Sequence, residues 1–438
     1  MNSTLQLGAS SSLDTWLKHL ESLHSREIDL GLSRVKAVAQ RLNLPLTPEQ
    51  RKHQVIVFSG TNGKGSTLAL TEAIALAQGL TVGSYTSPHF LHFNERIKIN
   101  GQAVSDETIT SAFARIEAAR LAPLEETISL SYFEFATLAG LLIFQEARLD
   151  LWLLEVGLGG RLDAVNLVDA NLAVLVTVAQ DHAEYLGEDL EVIGQEKAGT
   201  FRAACPVVLG SKKLPASVHQ QADKLDCPVF QLGEDYRRIP QPDGRWSWQG
   251  LNSERKTVCL TSLPKTALPA DNAATAVQAL LLVYPGLGEQ AIRQGLAQAK
   301  LTGRMQREGA WLLDVAHNPE AAGYLADRLA EQPDKKRLAL VGMMADKDIR
   351  ATLFPLLPYI DAWIVTSLPL PRAIKAEKLA ELLRESGAKL VLADPDEQGR
   401  LAFSTAEQLL HEGYDEVLVM GSFFTLAQVL RQLQKSEA

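Results

Sequence analysis

The sequence has few cysteines, no excess of positive charge and no long apolar run. Only three cysteines occur among 438 residues, Cys205, Cys227 and Cys259, and they form no CxxC motif. We therefore expect buried thiols in a reducing compartment rather than a disulfide framework. The formal net charge is −9, from 43 basic and 52 acidic residues. This balance argues against a nonspecific nucleic-acid binder, because such proteins neutralise phosphates with Lys and Arg.

The chain also lacks the patterns of a secreted or membrane protein. The N-terminal segment has no basic stretch followed by an apolar core, so we expect no signal peptide. No apolar run is long enough to span a bilayer, and no basic block suits an anionic membrane surface. These absences predict a cytoplasmic protein with neither a membrane nor a nucleic-acid partner.

A glycine-rich loop connects the first predicted strand to a helix, in the segment VIVFSGTNGKGST from Val55 to Thr67. Backbone N–H groups at the start of such a helix converge on an anion, and Lys64 adds a positive charge for the β- and γ-phosphates. The spacing departs from the standard G-x-x-x-x-G-K-[ST] pattern, because Phe58 replaces the first glycine and Gly65 replaces the hydroxyl residue. The usual magnesium-holding hydroxyl is therefore missing, and a metal needs ligands elsewhere.

Short apolar runs alternate with helical patterns in both halves of the chain. This alternation, with 46% hydrophobic and 22% charged residues, is typical of α/β folds with a mostly parallel sheet. Continuous runs such as DLWLLEVG and NLAVLVTV predict strands buried on both faces, and RIKINGQAV predicts a hairpin turning at Asn100-Gly101. We predict an N-terminal P-loop ATPase-type domain with a mostly parallel sheet over residues 1–298. A smaller C-terminal Rossmann-like α/β domain is predicted over residues 299–438.

Polar side chains follow three other predicted strands. Ser87 comes after TVGSYT, Glu155 ends LWLLE, and His182 comes after LAVLVTVAQD. Since doubly wound sheets place their sites at strand ends, the three could share magnesium with phosphate oxygens and water. Each alone has an ordinary explanation, as a loop serine, a helix-cap partner or a loop histidine. Their repeated placement at strand ends favours the metal site.

Three further segments allow a structural or a functional interpretation. Lys197 lies on a short helix, where a surface lysine is the default, although a lysine beside metal ions can lose its proton and react with carbon dioxide. SYFEF, which begins at Ser131, opens a helix whose phenylalanines suit core packing or a flat aromatic ligand. Arg161 and Asp163 lie in GLGGRLDAVN, either as a solvated charge pair or in a loop whose glycines let the backbone approach a ligand.

The second predicted domain offers an arginine, an aspartate and a histidine. Arg304 lies in LTGRMQ, and Asp314 and His317 lie at a strand end in DVAHNP. An arginine on a second domain can reach across a groove and stabilise charge on a transferring phosphate.

These motifs occur together in the order of one family. The segments are GTNGKGS, YTSPHFLHFNERIKING, SYFEF, LEVGLGGRLDAVN, EKAGTF, LPADNAATA, LTGRMQ and DVAHNP. The chain resembles the bacterial bifunctional dihydrofolate synthase/folylpolyglutamate synthase family, within the Mur-ligase superfamily, over nearly its whole length. The combination is highly specific, whereas the P-loop alone indicates only the superfamily.

The resemblance implies an ATP-dependent acid–amino-acid ligase. In this family ATP phosphorylates a substrate carboxylate to an acyl phosphate, which the amino group of L-glutamate attacks to give an amide, ADP and phosphate. The implied substrates are dihydropteroate, which becomes dihydrofolate, and tetrahydrofolate or folylpolyglutamates. The resemblance also implies two Mg²⁺ ions, allows a monovalent cation such as K⁺, and predicts a monomer.

The resemblance assigns roles to individual residues of this chain. The catalytic residues are Lys64, Lys197, which is carbamylated in relatives, and His182. The metal ligands are Ser87, Glu155 and His182. The ATP contacts are Thr61, Asn62, Gly63, Lys64, Gly65, Ser66, Asn272, Arg304 and Asp314. The pterin-substrate contacts are Ser131, Tyr132, Phe133, Glu134, Leu162, Asp163 and Ala164, and His317 helps to place glutamate.

Two positions depart from the family pattern. Ser131 stands where relatives have threonine, which keeps the hydroxyl. Phe424 replaces a histidine, which leaves the role of that position open.

Three other functions fit parts of the sequence. A cell-wall nucleotide-peptide ligase of the same superfamily needs a separate domain for its uridine nucleotide, and none is predicted before Val55. A P-loop switch or regulatory ATPase needs a Walker B acid pair and hydrolyses ATP without a carboxylate substrate. A folylpolyglutamate synthase without the dihydrofolate activity fits the same motifs.

Overall fold

The structure, a computed structural model, describes residues 7–24, 29–123 and 127–437. The chain divides into two compact units, Met1–Ala299 and Lys300–Ala438. Each unit contains its own mostly parallel sheet. The predicted α/β fold class is confirmed.

The main sheet of the N-terminal unit has eight strands. Their bounds are β1 Gln54–Ser59, β2 Val82–Tyr85, β3 Ile97–Ile99, β4 Gln102–Ala103, β5 Leu151–Glu155, β6 Leu172–Leu175, β7 Val207–Leu209 and β8 Val229–Gln231. They follow the order β4-β3-β2-β5-β1-β6-β7-β8. Strand β3 pairs antiparallel with both β2 and β4, so it alone runs against the other strands, and the β3–β4 hairpin turns at Asn100-Gly101 as predicted. Both turn residues have a positive φ, 51° and 77°, as a tight hairpin turn requires.

Helices cover this sheet on both faces. Their bounds are α1 Leu13–Leu23, α2 Ser33–Arg41, α3 Lys64–Ala77, α4 Asp106–Leu121, α5 Tyr132–Ala147, α6 Ala183–Leu186, α7 Leu190–Ala198, α8 Ala216–Lys224, α9 Ala270–Val283 and α10 Glu289–Gln298. Val55 and Val57 point into a core formed with α1, α2, α4 and α5. The alternate residues Ile56 and Phe58 are also fully buried, on the other face. Burial of both faces explains the continuous apolar runs in the sequence.

A second, antiparallel sheet in this unit was not predicted from the sequence. Its strands are β9 Arg237–Pro240, β10 Trp246–Leu251 and β11 Thr257–Leu263, in the order β11-β10-β9. Trp248 is fully buried and donates from Nε1 to Ala274 O of α9 at 3.1 Å. The prediction of buried thiols is wrong for Cys259, which lies exposed on β11, whereas Cys205 and Cys227 are half-buried.

The C-terminal unit contains a six-stranded sheet. Its strands are β12 Gln306–Glu308, β13 Trp311–Leu313, β14 Arg337–Val341, β15 Ala362–Thr366, β16 Val391–Asp394 and β17 Glu416–Met420. Their order is β12-β13-β17-β14-β15-β16, with only β12 antiparallel. Its helices are α11 Pro319–Ala330, α12 Ile349–Leu353, α13 Ala376–Glu385, α14 Arg400–His411 and α15 Phe423–Glu437. Across the described parts of both units, every helix is too short or too polar to cross a membrane.

Candidate active site

The glycine-rich loop lies between β1 and α3, at the carboxyl end of a central strand. Gly60 has a φ of +138° and Gly63 a φ of +85°. A Cβ atom on Gly60 would lie 3.0 Å from Thr177 N, and one on Gly63 would lie 2.8 Å from Val176 Cγ1 and 2.9 Å from Asn272 Nδ2. Backbone conformation and close packing therefore both require glycine here. Asn272, a predicted ATP contact, lies directly against the loop.

Thr61 and Asn62 anchor this loop to the segment that follows β6. Thr61 N donates to Thr177 O at 2.8 Å, and Asn62 N donates to Thr177 Oγ1 at 3.0 Å. Ala179 N donates to Thr61 Oγ1 at 3.0 Å. The predicted strand NLAVLVTV is shorter than expected and ends at Leu175. Beyond Leu175 the chain forms hydrogen bonds to the glycine-rich loop instead of continuing the sheet.

Lys64 is the first residue of α3, at the helix N-terminus. Its Nζ donates to Gly60 O at 2.8 Å and to Thr61 O at 3.2 Å, which folds the ammonium group over the loop. Gly65 and Ser66 continue the first turn, and Ser66 is buried. An anion bound at this helix N-terminus would meet both the backbone N–H groups and the ammonium group of Lys64.

A small polar cavity connects the loop to three other segments. It is lined mainly by Gly60, Thr61 and Lys64, by residues 156–159 after β5, by Asp181 and His182 before α6, and by Lys197 of α7. Its volume of about 30 Å³ gives room for one or two waters or ions. The structure thus brings the three predicted catalytic residues around one cavity.

Lys197 is 5% exposed, so its interpretation as a surface lysine is wrong. Burial first, and then the positive charge of Lys64, lower the pKa of the Lys197 amine to about 7, against the opposing effect of Asp181. A large fraction of this amine is therefore neutral near pH 7. The neutral amine is the form that reacts with carbon dioxide.

Two of the three predicted metal ligands lie together. Ser87 N donates to Glu155 Oε2 at 3.3 Å, and Glu155 is buried at the end of β5. His182 is not at a strand end as predicted; it lies well past β6, with a φ of +53°, directly before α6. Among the described residues, no group of three or more His, Cys, Asp or Glu side chains could hold a metal ion. Any metal here would also need phosphate or water oxygens, which is usual for Mg²⁺.

Asp163 organises the loop after β5. Its carboxylate accepts hydrogen bonds from Gly157 N at 3.1 Å and from Leu158 N and Val165 N at 2.9 Å. Burial raises the pKa of Asp163 to about 6, although the three N–H donors lower it. Because Asp163 is buried and bonded in this way, its interpretation as a solvated charge pair with Arg161 is wrong.

The same loop packs on the helix that contains Lys197. Arg161 Nε donates to Glu196 Oε2 at 2.9 Å. A Cβ atom on Gly160 would lie only 2.8 Å from Glu196 O, so glycine permits the close approach of loop and helix. Ala164, a predicted substrate contact, is buried at the start of the 3₁₀ helix Ala164–Leu167.

The helix α5 begins within SYFEF as predicted, and the structure shows a reciprocal cap at its start. Glu134 N donates to Ser131 Oγ at 3.3 Å, and Ser131 N donates to Glu134 Oε2 at 2.7 Å. The two phenylalanines differ in their surroundings. Phe135 is fully buried in the core, whereas Phe133 is half-buried, and a Cβ atom on Gly157 would lie 2.7 Å from Phe133 Cζ. Only Phe133 therefore borders the loop after β5.

Tyr132 is held by a buried arginine. The guanidinium carbon of Arg96 lies 5.7 Å from the centroid of the Tyr132 ring, within the range of a cation–π interaction. Arg96 Nε donates to His89 Nδ1 at 2.8 Å. This hydrogen bond requires an unprotonated His89 Nδ1, and burial together with Arg96 lowers the pKa of His89 to about 4.

The segment DLGLSR at the start of α2 was missed in the sequence analysis. Gly31 N donates to Leu162 O at 3.2 Å, which joins this segment to a predicted substrate contact. Arg34 forms ion pairs with Asp29 at 2.6 Å and with Glu134 at 3.2 Å. In the sequence, Gly31 lies between Asp29 and Arg34. This pattern is a weak signal for a binding loop, because it also fits an ordinary helix start.

The C-terminal unit holds the remaining predicted residues in a cluster of its own. The guanidinium carbon of Arg304 lies 5.9 Å from the Phe423 ring centroid, and the His317 ring lies 6.5 Å from it. Asp314 is buried and accepts a hydrogen bond from Ala316 N at 2.9 Å. Burial raises the pKa of Asp314, while Arg304 lowers it. Phe424, which departs from the family pattern, is 48% exposed in the first turn of α15.

Comparison with known proteins identifies the family. Residues 303–423 match the family described as Mur ligase, glutamate ligase domain. The dihydrofolate synthase/folylpolyglutamate synthase of Escherichia coli strain K12 is 41% identical over 426 residues, which cover 96% of each chain. This chain belongs to the dihydrofolate synthase/folylpolyglutamate synthase family.

Solved structures of the family share the fold of this member. E. coli FolC in complex with DHPP and ADP is 39% identical, with a TM-score of 0.88 over 98% of this chain and 100% of that chain. A bifunctional folylpolyglutamate synthase/dihydrofolate synthase with Mn, AMPPNP and L-glutamate bound is 42% identical, with a TM-score of 0.84 over 98% of this chain and 99% of that chain. The predicted family is confirmed, whereas the roles of individual residues stay predictions.

Proposed function

We propose that this family member is an ATP-dependent ligase that joins L-glutamate to dihydropteroate, giving dihydrofolate, and to tetrahydrofolate or its polyglutamates. An oxygen of the substrate carboxylate attacks the γ-phosphorus of ATP and ADP leaves, which forms an acyl phosphate. The amino group of glutamate then attacks the acyl carbon, phosphate leaves, and the nitrogen loses a proton as the amide forms. Phosphorylation is needed because a carboxylate is a poor electrophile at neutral pH.

One observation supports this reaction above the others. A single loop, residues 157–164, borders both the cavity beside the glycine-rich loop, which suits phosphate, and the Phe133 ring, which suits an aromatic ligand. At one end Gly157 and Gly159 line the cavity beside Lys64. Gly157 also packs against Phe133, and Leu162 is bonded to the start of α2. A reacting carboxylate between a pterin group and ATP needs this adjacency. The ligands named for the solved relatives, DHPP, AMPPNP and L-glutamate, agree with it.

The residues present fit a divalent cation. The buried Glu155 carboxylate beside Ser87 offers oxygen ligands, which hard cations prefer, and phosphate and water can complete the coordination. We assign Ser87, Glu155 and His182 to hold two Mg²⁺ ions. When bound, these ions offset the charge that builds up on the phosphates. A K⁺ ion is proposed from the family resemblance alone.

Two lysines at this cavity have different proposed roles, one as a positive charge and one as a carbamate. Lys64 offsets the repulsion between the substrate carboxylate and ATP, since both are anions. The neutral amine of Lys197 adds to the carbon of carbon dioxide, forms a C–N bond and releases a proton. The resulting carbamate is an anion that provides two oxygen ligands next to the phosphate loop.

The reaction is tested by measuring ADP and amide formation with dihydropteroate or tetrahydrofolate, with and without glutamate. We expect one amide per ADP with either folate substrate, and little ADP without glutamate. Turnover with tetrahydrofolate alone would indicate a folylpolyglutamate synthase without the first activity. ATP hydrolysis at the same rate with and without the folate substrate and glutamate would support a regulatory ATPase instead. A cytoplasmic location and a monomeric state stay predictions from the sequence.

We expect Glu155→Gln to raise the Mg²⁺ concentration needed for half-maximal turnover by about tenfold or more, because it removes the carboxylate charge and keeps the size of the side chain. Turnover is measured across a Mg²⁺ titration at saturating ATP. The control is Glu146→Gln, on the exposed face of α5, which should leave the titration unchanged. An unchanged titration for Glu155→Gln would show that Glu155 is structural.

We expect Arg34→Met to raise the KM for dihydropteroate by about tenfold with little change in kcat, since it removes the two ion pairs that join Asp29 to Glu134 at the substrate end. The methionine keeps the apolar stem of the side chain. Arg115→Met is the matched control, because Arg115 pairs with Glu146 on the surface. A loss confined to kcat, or to thermal stability, would contradict a role in substrate binding.

A further inference from the structure

A second cavity lies at the amino ends of the central strands of the N-terminal sheet, whereas the glycine-rich loop lies at their carboxyl ends. Its volume is about 1100 Å³, and Lys52, His53 and Asp150, which directly precede β1 and β5, line it. Strand β1 has six residues and rises about 3.3 Å per residue, so its two ends, and with them the cavity and the loop, are about 20 Å apart. The proposed reaction uses none of the residues that line this cavity.

The cavity has an excess of positive charge, although the chain has a net charge of −9. Its cationic side chains are Lys36, Arg51, Lys52, Arg148 and Arg202, and its carboxylates are Asp150 and Asp169. Five cations against two carboxylates leave a local charge of +3. His53 adds none at neutral pH, because burial and the charge of Arg51 lower its pKa to about 4.

Both carboxylates are already bonded to other groups. Asp150 Oδ2 accepts hydrogen bonds from Thr81 N at 2.9 Å and from Thr81 Oγ1 at 2.7 Å. The Asp169 carboxylate accepts from Arg202 Nε. Neither carboxylate forms an ion pair with Arg51, although the charges of Asp169 and Glu49 act on Arg51 from a longer distance.

Arg51 is a half-buried cation held only by neutral oxygens. It donates to Leu46 O at 3.1 Å, to Asn171 Oδ1 at 3.1 Å and to Asp169 O. Burial lowers its pKa to about 10, so it stays charged at neutral pH. Over the described ranges of the chain, no carboxylate forms an ion pair with it. Its buried Nε has no hydrogen-bond partner among the described residues, so an anionic ligand could accept a hydrogen bond there and pair with the guanidinium charge.

Three further cations that line the cavity are exposed to solvent. The side chains of Lys36, Lys52 and Arg148 make no hydrogen bond or ion pair with any residue that the structure describes. Leucines, among them Leu44 and Leu149, supply apolar surface between the charges. Sites for small organic ligands combine apolar surface of this kind with charged groups that fix the ligand's orientation.

We propose that this cavity binds a small organic anion with two or more adjacent negative charges, as found in phosphate esters and polycarboxylates. Arg51 supplies a half-buried positive charge, and the exposed Lys36, Lys52 and Arg148 supply three more for the ligand. The cavity is separate from the ligase site, so binding here does not depend on the proposed reaction.

The test is a calorimetric titration with inorganic tripolyphosphate and, separately, with citrate, at about 0.15 M salt so that weak surface attraction is screened. The titrations use the wild-type chain and Lys64→Ala, because tripolyphosphate can also bind the glycine-rich loop. We expect saturable binding that persists in Lys64→Ala. Binding of tripolyphosphate alone assigns phosphate esters, and binding of citrate alone assigns polycarboxylates.

Charge reversal then locates the site. The two changes Lys36→Glu and Lys52→Glu are introduced together into the Lys64→Ala variant. We expect them to weaken its anion binding by about tenfold or more. The control, Lys18→Glu/Lys224→Glu, changes two exposed lysines outside the cavity by the same charge and should leave affinity within about twofold. The proposal is overturned if neither anion binds to Lys64→Ala, or if both double variants weaken binding equally.

Discussion

Replacing Lys64 with alanine is expected to reduce ATP-dependent ligation by about 10²- to 10³-fold while the protein stays folded. The side chain belongs to the loop surface and not to the core, and two loop carbonyls hold its ammonium group at the helix N-terminus, where a phosphate would bind. Loss of this charge leaves two anionic substrates with less to offset their repulsion. The measurement is the initial rate of ADP formation with both folate substrate and glutamate present.

The control for this change is Lys224→Ala, at the exposed end of α8. It removes the same charge from the same unit and should leave the rate unchanged. Thermal unfolding of both variants should match the wild type within a few degrees. A folded Lys64→Ala variant with near-normal ligation would remove the basis for assigning a phosphate site to this loop.

Lys197→Arg is expected to be nearly inactive, although it keeps the positive charge. Arginine does not form a carbamate, and the buried position beside Lys64 disfavours a permanent second cation. We expect a loss of about 10²-fold or more in kcat, similar to the loss in Lys197→Ala. Lys197→Ala should regain part of its activity with a small carboxylic acid, which can place oxygens where the carbamate would lie.

The same modification predicts a pH dependence. Protein depleted of carbon dioxide should lose activity and recover it when carbon dioxide is restored. At a fixed concentration of dissolved carbon dioxide, recovery should be about tenfold faster at pH 8 than at pH 6. The sign follows from the pKa of Lys197, about 7, because the neutral amine becomes the major form as the pH rises through that value. Substantial activity in Lys197→Arg would count against the carbamate.

The sequence by itself determined the fold class, the position of the glycine-rich loop between a strand and a helix, and the family. These depend on local patterns: continuous apolar runs for strands buried on both faces, and glycines around one lysine between a strand and a helix. The turn at Asn100-Gly101 is equally local. The sheet β9–β11 has a local signal too, since Trp246 and Trp248 alternate with polar residues, but the arginine and glycine around them weaken it.

Only the tertiary structure decided which polar side chains are buried and what they face. Lys197 and Asp163 resemble surface residues in sequence, and both are buried by segments distant in the chain. Phe133 and Phe135 are two positions apart, yet only Phe133 borders the loop after β5. The link from Arg34 to Glu134 spans one hundred positions. Local periodicity fixes the type of each element, whereas burial, pKa and ion pairing depend on distances between elements, which no local pattern contains.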